Sequence, residues 1–136
     1  MRVADESDRM SVAKELYAAF ERGDLEAIYG LLDENVLWEM LGPSELPHSG
    51  TYRGVEEVRR FFEILLEHTV VERIEMNRFT ETSDGVIVEG FERGSFRGHP
   101  ASYDMRWCHV MTIDDGRITR FTDYHDTAPM VEAIRS

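Results

Sequence analysis

The sequence predicts an α+β fold, three helices followed by a run of hairpin strands, and three observations carry it. Apolar residues recur at helical spacing through the first half, the period falls to two from Val70 onward, and turn signals break the second half at Ser83-Asp84-Gly85, Gly98-His99-Pro100 and Asp114-Asp115-Gly116. Helices followed by consecutive strands leave a sheet that must bury one face against those helices.

Each element has its own signal. Met10, Ala13, Leu16, Tyr17 and Phe20 form the first helical pattern, which Gly23 stops. Asp24 can cap a short second helix carrying Ala27, Ile28, Leu31 and Leu32. Asn35 to Met40 is too short and too rich in β-branched and aromatic residues for a helix, so it reads as a strand leading into the Gly/Pro loop Leu41 to Gly50. Past Gly54, Val55, Val58, Phe61, Phe62, Leu65 and Leu66 line one broad face of a third helix. Four strands follow at about 70–80, 85–96, 101–113 and 117–125, mostly as antiparallel hairpins. Thr127-Ala128-Pro129 then offers a cap and an early proline for a short terminal helix.

Composition bounds the function. The 136 residues suit one domain spanning 1–136. Their 27 acidic against 15 basic side chains give a net charge of −12, which disfavours nucleic acid and anionic membrane surfaces as partners. No run approaches the roughly 18 apolar residues of a membrane span, and the opening MRVADESDRM lacks the apolar core of a signal peptide. The single Cys108 cannot form an internal bridge, so the expected compartment is the cytoplasm.

Alternation then assigns faces. In the third long strand Tyr103, Met105, Trp107, His109, Met111 and Ile113 share the side expected to be buried, which places His109 on an apolar wall and Cys108 opposite. In the last strand Thr119, Phe121, Asp123 and His125 face away from Ile118, Arg120, Thr122 and Tyr124, and the pattern does not choose between them. Residues 86–96 are apolar on both faces, so a second subunit is expected to cover the outer one, giving a homodimer through the sheet.

The run ELYAAFERGDLEAIYGLLDENVLWEM, the loop GPSELPHSGTYRG before VEEVRRFF, and the ending CHVMTIDDGRITRFTDYHDTA together resemble the SnoaL-like, ketosteroid-isomerase-related branch of the nuclear transport factor 2-like superfamily. The resemblance covers nearly the whole chain and implies a curved, mostly antiparallel sheet wrapped around the helices to enclose a conical pocket. It puts Glu39 where ketosteroid isomerases keep a proton-shuttling aspartate. Their oxyanion-hole tyrosine falls at Leu16, with Tyr17 one residue off the required face, and their second oxyanion donor falls at Cys108 or His109, of which the buried-face argument favours His109. The two carboxylates of limonene-epoxide hydrolases match Glu92 and Asp123, but the intervening arginine matches Gly90, which disfavours that chemistry. SnoaL-type cyclases place an acid/base aspartate at the position of Asp123, and this turns Phe121 and His125 toward the pocket as well.

The resemblance therefore implies a homodimeric acid/base enzyme of isomerase, cyclase or hydratase type acting on a small hydrophobic carbonyl compound, with no cofactor and no metal. Glu39 and Asp123 form the expected acid/base pair and His109 the expected hydrogen-bond donor to a developing enolate. Leu16, Trp38, Met40, Glu92, Met105, Trp107, Phe121 and His125 form the expected substrate wall. An apolar cup is expected to raise the pKa of carboxylic acids held within it. The alternative reading is a dimeric module that binds a small ligand without chemistry.

Overall fold

The computed structural model describes the backbone of residues 4–136 and the side chains from Asp8 onward. The first residues of MRVADESDRM, on which the reading of the N-terminal stretch rests, lie outside the described residues. The elements run α1 (Ala4–Glu21), α2 (Leu25–Gly30), β1 (Leu32–Met40), β2 (Gly50–Arg53), α3 (Gly54–His68), β3 (Thr69–Glu81), β4 (Gly85–Phe96), β5 (Ser102–Asp114), β6 (Arg117–His125) and α4 (Ala128–Ile134). The α+β class holds, and the strand limits of the second half agree with the two-residue period to within two residues.

Local chemistry sets the joints. Asp24 caps α2 by accepting from the Ala27 N–H at 3.1 Å, satisfying one of the donors a helix start leaves open. Beyond it β1 starts at Leu32 rather than Asn35, because Leu32 pairs with Ile118 and extends the ladder across a bulge. Leu66 of α3 is exposed, so the buried face of that helix is narrower than its apolar content suggests and centres on Val58, Phe61 and Phe62. Proline occupies the first turn of α4 as expected, although the Thr127 hydroxyl makes no capping bond.

The six strands form one sheet in the order β2-β1-β6-β5-β4-β3, antiparallel except where β1 runs parallel to β6. Register lays the inward residues out in rows. Val86, Met111, Phe121 and Trp38 make one row, Val88, His109, Asp123 and Met40 the next, and Gly90, Trp107 and His125 a third. The helices cover this face, and the buried core lies between Leu16, Tyr17, Ile28, Phe61 and Phe62 on one side and these rows on the other.

Two rows depend on glycine. A Cβ on Gly90 would stand 2.1 Å from Cζ2 of Trp107, and one on Gly94 would stand 2.6 Å from the Tyr103 hydroxyl. These two rings of β5 thus occupy the space that side chains on β4 would need. Among the described residues no helix is long and apolar enough to cross a membrane.

Candidate functional site

Between helices and sheet lies a cavity of about 90 Å³. Trp38, Phe61, Phe62, Phe121 and Trp107 line it, and the Trp38 and Phe121 rings stack at 4.0 Å. The lining also includes Leu16, Met40, Glu92, Met105, His109 and Asp123. The third long strand thus presents His109, and not Cys108, to the interior.

Polar groups converge on Asp123, which is 6 % exposed. His109 lies across the strand pair with Nε2 3.0 Å from Asp123 Oδ1, and His125 sits two residues along β6 with Nδ1 2.7 Å from Oδ2. These are ion-pair distances without hydrogen-bond alignment: Asp123 Oδ1 and both nitrogens of His125 have no aligned partner among the described residues. The attraction of carboxylate for imidazolium at such separations does not depend on that alignment. On the far side of His109, Nδ1 is 2.8 Å from the hydroxyl of Tyr17. With the His109 proton on Nε2, facing the carboxylate, Nδ1 is an acceptor and the phenol donates to it. The order is therefore Tyr17, His109, Asp123, His125, with the His109 ring stacked on Trp107 at 4.0 Å.

Charge within this row follows from its neighbours. Burial works against ionisation of Asp123, but His109 and His125 outweigh it and hold the carboxyl well below the usual carboxylate range. The expectation that the apolar cup raises its pKa is thus overturned, since two facing imidazoles stabilise the anion more than desolvation penalises it. His125 responds in kind: burial favours its neutral ring, yet Asp123 lifts its pKa above the ordinary value. Burial, followed by the charge of Asp123, raises the Tyr17 hydroxyl well above its ordinary pKa, which keeps it a phenol.

Glu92 meets the original expectation. Burial and the nearby Asp123 raise its pKa, opposed by the Tyr103 hydroxyl, which donates to Oε2 at 2.7 Å, and by His125.

Glu39 is a correction. Trp38 and Met40 line the cavity on either side of it, so strand parity turns Glu39 to the opposite face of β1. There it accepts from the Thr122 hydroxyl at 2.8 Å and from Arg120 at 3.1 Å, and these bonds lower its pKa against the opposing effect of burial. A carboxylate pointing away from the cavity cannot shuttle protons within it. Tyr17 is the converse correction: both Leu16 and Tyr17 reach the lining, so the hydroxyl thought to be off its face is present. His125 makes no part of the cavity wall and acts behind Asp123, its side chain fully buried.

Sequence reasoning missed His48. It lies in the Gly/Pro loop, is 4 % exposed, and lines the cavity beside Phe61 and Phe96. The loop has no periodicity from which to read a face, and only a histidine amid apolar and turn residues marks the position.

The SnoaL-like domain model matches residues 13–121. No curated protein matches the chain. Among solved structures, an NTF2-like protein of unknown function from Burkholderia pseudomallei superposes with a TM-score of 0.85 at 28 % identity, covering 95 % of this chain and 98 % of that one. TerC, co-crystallised with polyporic acid, superposes with a TM-score of 0.82 at 26 % identity, covering 95 % and 99 %. An LEH-like epoxide hydrolase from M. tuberculosis shares the fold at 17 % identity and a TM-score of 0.76, covering 96 % and 92 %. A domain match over most of the chain and the common architecture of these structures agree with the arrangement of sheet, helices and cavity: the chain belongs to the SnoaL-like family of the nuclear transport factor 2-like superfamily.

Proposed function

We propose that the chain is an acid/base enzyme that moves a proton on a compact hydrophobic carbonyl compound, with His109 as the base, Tyr17 as the hydroxyl between it and substrate, and Asp123 as the counter-charge. The observation that carries this reading is the row Tyr17, His109, Asp123 inside an aromatic cavity. A proton leaves the α-carbon of the ketone for the Tyr17 oxygen as the phenol proton passes to His109 Nδ1. The electron pair of the broken C–H bond becomes the enolate, and the new imidazolium faces the Asp123 carboxylate. Reversal returns a proton to carbon or oxygen. Low dielectric around Trp107 and Phe121 strengthens each of these interactions. The transfer uses side chains of this chain alone.

Similarity to a protein co-crystallised with polyporic acid supports an aromatic, oxygen-bearing ligand. Epoxide hydrolysis has no such support, because Trp107 fills the space a side chain at position 90 would need. Pairing of two copies through the outer sheet is supported by the exposed Val110 and Tyr124, whose strands neighbour one another there.

The test is α-proton exchange. A panel of small enolisable ketones and β-diketones is incubated with the protein in D2O and followed by NMR. Exchange above the buffer rate, lost about 100-fold in Asp123→Asn, is the expected result. A ketone that binds without exchanging favours the binding module, and unchanged exchange in Asp123→Asn removes Asp123 from the mechanism.

A further inference from the structure

The buried ring nitrogens that the proton relay leaves unused say something about the ligand. Trp38 Nε1, Trp107 Nε1 and His48 Nδ1 are all buried, all belong to residues of the cavity lining, and have no hydrogen-bond partner among the described residues. A buried donor left unmade costs roughly 1–3 kcal/mol, so folded proteins rarely keep several together unless something else meets them. The two indoles share the wall with the relay. His48 does not.

Its position is separate and fixed. Phe96, on which the His48 ring stacks, lies well down β4 from Val88, the strand partner of His109. The Tyr52 hydroxyl donates to the His48 carbonyl at 2.9 Å, and Phe61 packs against both the His48 and the Tyr52 rings. The loop is thus tied to β2 and α3 at the residue whose imidazole closes this part of the cavity. Burial lowers the His48 pKa to about 4, helped by the positive charge of His125 and opposed by Asp123. At neutral pH the ring is uncharged and can both give and take a hydrogen bond.

We propose that His48 is a second polar anchor of the cavity, hydrogen-bonding an oxygen of the bound molecule at a point apart from Tyr17 and His109, so that the ligand is a compact ring compound carrying two oxygen functions. This rests on the acid/base reading for the placement of the first oxygen. It adds to that reading a specificity residue and a substrate class, hydroxylated aryl or cyclic ketones in place of simple ones. The aromatic walls hold the ring, the relay meets the carbonyl, and His48 meets the second oxygen.

Acetophenone and 4-hydroxyacetophenone separate the contributions, since they differ only by the far hydroxyl. Dissociation constants are measured at pH 7.5 by titration calorimetry for the unaltered protein, His48→Phe and His48→Gln. The expected result is 5- to 10-fold tighter binding of 4-hydroxyacetophenone by the unaltered protein, the range one hydrogen bond provides. His48→Phe should reduce the preference below 2-fold while leaving acetophenone affinity within about 2-fold, and His48→Gln, which keeps a donor and an acceptor, should restore part of it. Equal affinities in the unaltered protein, or a preference that survives in His48→Phe, overturns the anchor and leaves the relay standing. Failure of both ketones to bind overturns the anchor and the acid/base reading together.

Discussion

Two carboxylates on neighbouring strands, Asp123 on β6 and Glu39 on β1, stand one register step apart, Met40 facing Asp123 and Glu39 facing Thr122. Asp123 points into the cavity, is nearly sealed, and is held between two imidazoles. Glu39 points outward, where a hydroxyl and an exposed guanidinium meet it. Both are more acidic than an isolated carboxylic acid, but for different reasons: one overcomes strong desolvation by paired charges, the other gains ordinary hydrogen bonds near water. Composition and pKa direction therefore do not separate a site residue from a surface one. The side of the pleat does.

Five changes sharpen that contrast. The largest effect belongs to Gly90→Val on the inner face, whose Cβ must displace Trp107 and meets the Glu75 carbonyl oxygen at 2.3 Å. A loss of about 3 kcal/mol or outright failure to fold is expected in urea denaturation. Glu89→Val, one residue away on the exposed face, should stay within about 0.5 kcal/mol. Equal losses at the two positions would erase the distinction between faces.

Asp123→Asn comes next. It leaves two buried imidazoles without their counter-charge and should cost about 3 kcal/mol. Its pH dependence has a definite sign. The lowered Asp123 pKa contributes stability that is present above the ordinary value of 3.8 and is lost as pH falls further; the raised His125 pKa contributes stability that is complete below 6.5 and is lost as pH rises through the folded value. The destabilisation by Asp123→Asn should accordingly be greatest between about pH 4 and 6.5 and shrink at pH 8.5. NMR titration of the variant should find the His125 pKa lower than in the unaltered protein, because only Glu92 and Asp126 remain to oppose burial.

His48 runs the other way. A histidine whose folded pKa is depressed to about 4 loses stability as pH falls below 6.5, since the unfolded chain takes up the proton first. The slope contributed is at most about 1.4 kcal/mol per pH unit between those limits. Urea midpoints collected from pH 7 to pH 4.5 should fall less steeply in His48→Phe than in the unaltered protein; parallel curves would mean that the ring is not held neutral.

The smallest effect is expected at Glu39→Gln. Its partner Arg120 is exposed, so thermal and urea stability should change by about 0.5 kcal/mol or less and ketone exchange not at all. Loss of exchange in this variant would place chemistry on the outer face after all.

Apart from β2, a four-residue strand where the sequence reading had none, the element order and the buried row of β5 were legible from period alone, because an apolar face against helices imposes it. Placing Phe121 and Asp123 inward required the resemblance, since β6 is amphipathic in neither direction. Glu39 was misplaced by position-matching even though Trp38 and Met40, both large and apolar, already claimed the inner side of that strand. Tyr17 was set aside on a one-residue argument that a helix does not enforce, as adjacent residues 100° apart can both border a wide cavity. His48 had no periodic neighbour, and a loop residue's burial is decided by tertiary contacts such as Tyr52 and Phe61 that no local pattern encodes.

The ring of Trp107 lying on bare Gly90 also bears on history. An arginine cannot be introduced at position 90 while the indole remains, and truncating the indole first would open a hole in the row that carries His125. A chain that carries a side chain at position 90 must therefore carry a smaller residue at position 107 as well, so that the two positions change together or not at all.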